Sequence, residues 1–185
     1  MNLKDLLRER RPSITKRWFD SIVESYPADA SNFFRHNRNR FTNPVGHTFA
    51  EVIGGIFDEL LQGCDPEKYF PYLNDLIKIR AVQDFTPSQA VSFIFLLKRV
   101  IRDELGAELR RDQFHDELNS LELEIDRLAL LSFDVYVKCR ERISELRMDE
   151  FKRMTFRLLK TANLVHEIPQ QELKEDTVLT HKIEG

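Results

Sequence analysis

The chain has 185 residues, of which 42% are hydrophobic and 32% charged, and its formal net charge is −3. This length suits one domain with an appendage, the apolar fraction is too high for a disordered chain, and the charge is too dense for a membrane protein. A pI near 6.0 argues against a dedicated nucleic-acid binder. The chain begins without a signal-peptide core, and Cys64 and Cys139 form no disulfide framework. We therefore expect a cytoplasmic protein that does not insert into a membrane.

Glycines and prolines divide the chain as they do in helical proteins. Proline fits the first turn of a helix, and glycine fits the position just after the last turn. No Asn-Gly or Asp-Gly hairpin signal occurs, and no long stretch alternates between apolar and polar residues. The sequence therefore predicts an all-α fold. The predicted helices before residue 106 cover 2–10, 12–26, 43–63, 65–84 and 86–105, with a short turn at 28–35.

The helix over 43–63 combines a wide apolar face with two glycines in its middle. Apolar residues recur at helical spacing from Phe49 to Leu61, which indicates one buried face. Gly54 and Gly55 each cost a helix about 1 kcal/mol relative to alanine. We therefore expect another helix to cross closely there, because a close approach would offset this cost.

The strongest local signal is the start of the helix over 86–105. Thr86 can cap it, Pro87 fits its first turn, and Gln89 can complete a capping box. The helix is apolar nearly all round in its first half, which is typical of a helix at the centre of a core. We therefore expect Leu97 and its neighbours to be enclosed on all sides by other helices.

The region over 107–168 contains neither glycine nor proline. It is predicted to form one long helix or two nearly collinear ones, with Asp149 as a candidate cap at a break. Its first half carries an apolar stripe that should pack on the globular part: Leu118, Leu121, Ile125, Leu128, Leu131 and Val135. Its second half carries residues that step by three and four, as in a coiled coil. This candidate dimer interface, called the seam below, consists of Met148, Phe151, Thr155, Leu158, Ala162 and Val165.

These patterns predict three regions along the chain. A helical domain over 1–146 is followed by a helical extension over 147–168 and a polar, flexible tail over 169–185. If it were helical throughout, the region over 107–168 would be about 90 Å long. That length exceeds a domain of this size, so we expect part of the region to project or fold back.

The motifs of common enzymes and metal sites are missing from the sequence. It contains no GxGxxG, GxxxxGK[ST], GxSxG, HExxH or CxxC pattern, and no two of its five histidines are neighbours at helical spacing. We therefore predict a non-enzymatic protein without a metal ion or cofactor. Haem binding is disfavoured because 73–83 and 89–105 contain no histidine to serve as an axial ligand.

A run of arginines with aromatic flanks lies over 34–41. Arg35, Arg38 and Arg40 alternate with other polar residues and could together hold an anionic partner. A solvated loop or a set of ion-pair partners explains the same residues more simply. Nucleic-acid binding is the least expected of these interpretations.

A second candidate site directly precedes the helix over 86–105. Arg80 and Asp84 lie four residues apart and can pair across one turn. Gln83 and Asp84 can also satisfy backbone groups of the turn. These residues form either a structural corner or the edge of a pocket in which Arg80 faces an anionic small-molecule ligand.

The stretch over 79–105, IRAVQDFTPSQAVSFIFLLKRVIRDEL, resembles the N-terminal domain of RsbRD-type RsbT co-antagonist proteins. The matching features are Arg80-Ala81 and Gln83-Asp84-Phe85 leading into Thr86-Pro87-Ser88-Gln89-Ala90, with Trp18 upstream. The resemblance covers roughly residues 13–135. It implies a globin-like helical bundle with a long C-terminal helix, which would act as a haem-free sensor that dimerises in stress-response signal transduction.

Related domains usually precede a STAS domain or a kinase, whereas this chain ends at Gly185 without room for such an output domain. We therefore expect a non-enzymatic sensory or protein-interaction module that acts as a homodimer through an unknown protein partner. Two alternatives stay open. One is a globin-like sensor that binds a small ligand or haem, and the other is an accessory subunit that docks on a redox complex.

Overall fold

The computed structural model describes residues 2–36, 43–63, 65–83, 85–106, 108–110, 114–162 and 164. Every regular element in these ranges is helical, which confirms the all-α class and the long C-terminal helix. The elements are α1 (Leu3–Glu9), α2 (Arg11–Val23), α3 (Ala28–His36), α4 (Pro44–Gln62), α5 (Pro66–Val82), α6 (Pro87–Glu104), a 3₁₀ turn (Glu108–Arg110) and α7 (His115–Thr161). No helix in the described ranges is both long enough and apolar enough to span a bilayer. The internal contacts divide the chain into two units, Met1–Glu145 and Leu146–Gly185.

Polar caps followed by proline start α4, α5 and α6. The side chains of Asn43 and Asp65 accept hydrogen bonds from backbone N–H groups of the first turn, at 2.8 and 3.1 Å. At α6, Thr86 Oγ1 accepts from the N–H of Gln89 (3.4 Å), and Gln89 Oε1 accepts from the N–H of Thr86 (3.1 Å). The predicted capping box is therefore confirmed, and it satisfies donors that a bare helix end leaves unpaired.

The core of the first unit lies among α2, α4, α5, α6 and the first part of α7. Its largest fully buried aromatic side chains are Trp18, Phe49, Phe57 and Phe93. The predicted stripe of α7 packs on this core, although Leu131 is only half-buried. Lys98 and Arg102 of α6 pair with Asp126 (2.7 Å) and Glu122 (2.6 Å) of α7, so polar contacts also join these two helices.

The close helix crossing expected at the paired glycines is confirmed. A Cβ atom on Gly55 would overlap the ring of Tyr72, which belongs to α5. A Cβ atom on Gly54 would lie 3.1 Å from Nη2 of Arg11, a residue whose guanidinium pairs with Asp58 at 2.5 and 2.7 Å. Glycine is therefore needed for space at position 55, whereas at position 54 a small shift of the Arg11 guanidinium would make room. The packing of α5 on α4 offsets the low helix propensity of Gly55.

The segment predicted as a short turn over 28–35 forms the helix α3 instead. Its Phe34 packs edge to face on Tyr26, with ring centroids 5.1 Å apart, and also contacts Phe49 at 6.1 Å. A helix of two to three turns is marginal alone in water, so this aromatic packing stabilises it. The sequence signal was weak because the partners of Phe34 lie in other helices.

The long helix α7 has no break at Asp149, which lies in its interior. The prediction of a cap there was wrong, because no proline or glycine forces the helix to end and an aspartate alone does not. Pro71 lies inside α5 without ending it, as the single predicted helix over 65–84 requires.

The prediction that α6 is enclosed on all sides was wrong in part. Phe93, Ile94 and Leu97 are fully buried, but Phe95 is 47% exposed. An apolar run shows that a helix enters a core, but it does not show which of the adjacent apolar positions face solvent.

Candidate functional site

The stretch around Arg80 folds into a corner where α5 ends and α6 begins. Arg80 is fully buried, with 0% of its surface exposed. Its Nη1 donates hydrogen bonds to the carbonyl oxygens of Gln89 (2.9 Å) and Ala90 (3.4 Å) in the first turn of α6. Its Nη2 donates to Oγ of Ser25, two residues after the end of α2 (3.2 Å). One side chain therefore joins the ends of three helices.

Three aromatic rings surround the guanidinium of Arg80. Its Cζ atom lies 5.5 Å from the ring centroid of Tyr26, 5.0 Å from that of Phe85 and 5.1 Å from that of Phe93. The rings of Tyr26 and Phe85 meet edge to face at 5.2 Å. A desolvated cation–π contact contributes up to about 2 kcal/mol, so the rings offset part of the cost of burying the charge.

Burial sets the electrostatics of this corner. It lowers the pKa of Arg80 and raises the pKa of Tyr26, while the attraction between the two charged forms opposes both shifts. Arginine still carries its charge at neutral pH. No carboxylate among the described residues pairs with Arg80, and its Nε atom has no hydrogen-bond partner there. Asp84 lies outside the described residues, so the Arg80–Asp84 pair stays a prediction.

Two residues of α7 hold the same corner from its other side. The hydroxyl of Tyr136 donates to the carbonyl oxygen of Phe85 (2.5 Å), and Nη1 of Arg140 donates to the carbonyl oxygen of Ala81 (2.9 Å). Sequence reasoning missed both residues because they lie more than 50 positions from the corner along the chain. The available signal was their spacing of four at the end of the buried stripe, which places them on one helix face.

Gln83 was predicted to share a ligand site with Arg80 and Asp84. The structure places Gln83 at the surface, where its Oε1 accepts a hydrogen bond from the hydroxyl of Tyr26 (3.1 Å). Tyr26 therefore contacts both Gln83 and Arg80. The hydrogen bonds of the corner join α5 to α6, to α7 and to the turn after α2, an arrangement suited to fixing helices, and a ligand at Arg80 stays a prediction.

The predicted basic cluster is largely outside the described residues. The backbone of Arg35 belongs to the last turn of α3. The side chain of Arg35 and the whole of Arg38 and Arg40 are not among the described parts of the chain. An anionic partner at this cluster stays a prediction.

The seam belongs to the unit Leu146–Gly185, and its described members lie on the final turns of α7 and directly after them. Met148, Phe151, Leu158 and Ala162 are exposed and Thr155 is half-buried. Val165 lies outside the described residues. The structure thus shows the described apolar side chains of the seam, Met148, Phe151, Leu158 and Ala162, facing solvent within a single chain.

A cleft of about 660 Å³ lies in the first unit beside α1, the end of α4 and the start of α7. Charged side chains line it together with Leu3, Leu7 and Leu121, and Glu117 accepts a hydrogen bond from the N–H of Leu3 at 2.7 Å. Over the described ranges, no group of histidine, cysteine and carboxylate side chains could hold a metal ion.

Comparison with known proteins identifies the family. The family model described as the RsbT co-antagonist protein rsbRD N-terminal domain matches residues 12–150, more than half of the chain. The match includes the Arg80 corner and confirms the resemblance noted in the sequence. No curated protein and no solved structure matches the chain, so the globin-like arrangement stays a prediction. The chain belongs to the family of N-terminal domains of RsbRD-type RsbT co-antagonist proteins, which are regulatory domains of stress signalling.

Proposed function

We propose that this protein is a non-enzymatic regulatory module that forms a homodimer through the seam and acts on a protein partner by contact. The observation that carries the proposal is the exposure of large apolar side chains at heptad spacing. Met148 is 53% exposed, Phe151 65% and Leu158 69%. Side chains of this size are normally covered when they recur on one face of a helix.

The free energy available from covering the seam is large enough to matter. Burying one such side chain contributes about 1.5–3 kcal/mol. Two copies would together cover six of them, and because only 53–69% of each is exposed, the gain is about 6–11 kcal/mol against an association cost of about 4–15 kcal/mol. Thr155, between Phe151 and Leu158, and Ala162, one turn after Leu158, are smaller and would let two helices approach closely.

The family supports action by contact rather than by catalysis. Its description names a co-antagonist of RsbT, and antagonism of a protein requires contact with a protein. The Arg80 corner fits this role, because it fixes the ends of α2, α5 and α6 to one another and also bonds to α7. A displacement of any one of these helices would therefore also move the others.

The test is the molar mass of the full chain by light scattering. We expect a dimer for the wild type and a monomer for the double variant Phe151→Glu/Leu158→Glu. The matched control is Phe156→Glu, which changes a phenylalanine of similar exposure (51%) on the same helix but off the seam. Truncation after Leu146 should also give a monomer. A dimer that survives the double variant would place the interface elsewhere and overturn the proposal.

A ligand-binding sensor is the second candidate function, and the cleft of about 660 Å³ beside α1 favours it. Its volume lies within the range of small-molecule sites. Native mass spectrometry of the purified protein would reveal a retained ligand, and an absorption spectrum would reveal haem by its Soret band. If neither shows a bound molecule, the contact-based proposal stands as the better account.

A further inference from the structure

A groove of about 390 Å³ runs along the first unit between α5 and α7. The α5 residues that line it recur every four positions from Phe70 to Val82, and the α7 residues lie at i, i+3, i+4, i+7 and i+8, from Val135 to Ile143. At 1.5 Å per residue, the α5 wall extends for about 18 Å, or three helical turns. Each wall is thus formed by one face of one helix.

The floor of the groove is apolar and lacks a cover in the described part of the chain. Val135 is buried at its base and Ile143 is half-buried. Phe70 and Val82 are 46% and 68% exposed. Two large apolar side chains therefore border the groove with much of their surface in water, although the helices that carry them are otherwise well packed.

The charged residues that line the groove are all cationic. They are Lys78 on α5 and Lys138 and Arg142 on α7, and no described carboxylate lines it. Arg142 has an exposed ion pair with Glu145 (3.0 Å). Lys78 and Lys138 form no ion pair with any described residue. An occupant with negative charge beside an apolar surface would complement this groove.

We propose that the groove binds an acidic amphipathic helix of a partner protein. Two helical walls, of which the α5 wall is three turns long, and an apolar floor fit a helix whose apolar residues recur at i, i+3, i+4 and i+7. Asp or Glu residues beside that stripe would face the three cations of the rim. The proposal deepens the proposed function, on which it rests, by naming the chemistry of the protein partner.

The probe for this proposal is a labelled 15-residue helical peptide with leucine at those positions and glutamate beside them. Fluorescence anisotropy would measure its binding to the full-length protein. The control peptide carries lysine in place of each glutamate. We expect the acidic peptide to bind at least tenfold more tightly than the basic one, and more weakly as salt increases.

Substitutions in the groove test whether the acidic peptide binds there. Lys138→Glu and Val82→Asp should each weaken the acidic peptide at least tenfold, whereas Lys16→Glu, which changes an exposed lysine outside the groove, should leave it unchanged. In a Cys64→Ser background, Cys139 is the remaining thiol and lines the groove. The bound acidic peptide should therefore slow its alkylation by a maleimide.

Several outcomes would overturn the groove proposal. These are equal binding of the two peptides, no binding of either, equal effects of Lys138→Glu and Lys16→Glu, or protection of Cys139 by dodecanoate but not by the acidic peptide. The last result would assign the groove to a small anionic amphiphile. Light scattering on the same samples separates the two proposals. A dimer without peptide binding contradicts only the groove, and a monomer that binds the peptide contradicts only the seam.

Discussion

Replacement of Arg80 tests whether the corner is structural. Arg80→Ala removes two well-formed hydrogen bonds, to Gln89 (2.9 Å) and Ser25 (3.2 Å), and three ring contacts. Hydrogen bonds to a charged group contribute about 1.5–3 kcal/mol each, but removing the charge recovers several kcal/mol of desolvation. The hydrogen-bond and desolvation contributions nearly cancel. The cavity left among the rings then costs about 3–5 kcal/mol, as for other large-to-alanine changes in a core.

Arg80→Met separates the cost of the cavity from the effect of removing the charge at the same position. Methionine fills much of the space among the rings without a charge, so we expect it to cost no more than about 2 kcal/mol. Urea unfolding, followed by the fluorescence of Trp18 and by far-UV circular dichroism, gives both values. Trp18 is a suitable reporter because it stacks on Phe93, with 6.3 Å between ring centroids. A cost below about 1 kcal/mol for Arg80→Ala would contradict the structural role of Arg80 and favour a surface arginine that faces a ligand.

Three further substitutions test the fold. Leu97→Asp should abolish cooperative unfolding, because it places an unpaired carboxylate at a fully buried position, and a soluble, stable variant would refute this placement. Gly55→Ala should lower the free energy of unfolding by about 1–3 kcal/mol, because its Cβ meets the Tyr72 ring; helix propensity alone predicts a gain of about 1 kcal/mol. Hydrogen bonds from Ser13 and Arg17 lower the pKa of Glu104. The Glu104 carboxylate therefore stabilises the folded state at pH values above its ordinary pKa, and this contribution is lost as pH falls through the lowered pKa. Glu104→Gln should thus cost about 0.5–1 kcal/mol at pH 7 and little in strong acid, and a cost independent of pH would contradict the assignment.

The local elements of the fold could be predicted because each carries its own signal. The cap, proline and capping box at Thr86 lie within four residues of one another, and the structure shows the same bonds. The crossing at Gly55 was predictable because a glycine pair inside a helix needs a compensating contact. The identity of the partner, Tyr72, was not, since no spacing rule links the two helices.

The corner around Arg80 shows where sequence reasoning stops. The motif predicted that Arg80, Gln83 and Asp84 form one site, but it left a structural corner and a ligand pocket as open alternatives. The residues that enclose the guanidinium come from the turn after α2 and from α6 as well as from the motif, and Tyr136 and Arg140 come from α7. These partners depend on the tertiary arrangement of four helices, which a single sequence does not encode in any short pattern.

The central claim is that the exposed seam joins two copies of the chain. Native mass spectrometry of an equal mixture of unlabelled and ¹⁵N-labelled full-length protein tests it most directly. The account predicts species at twice the chain mass of 21.9 kDa, including a mixed dimer of intermediate mass, and single chains for Phe151→Glu/Leu158→Glu. Single chains of the wild type at micromolar concentration, or mixed dimers that persist in the double variant, would contradict the account.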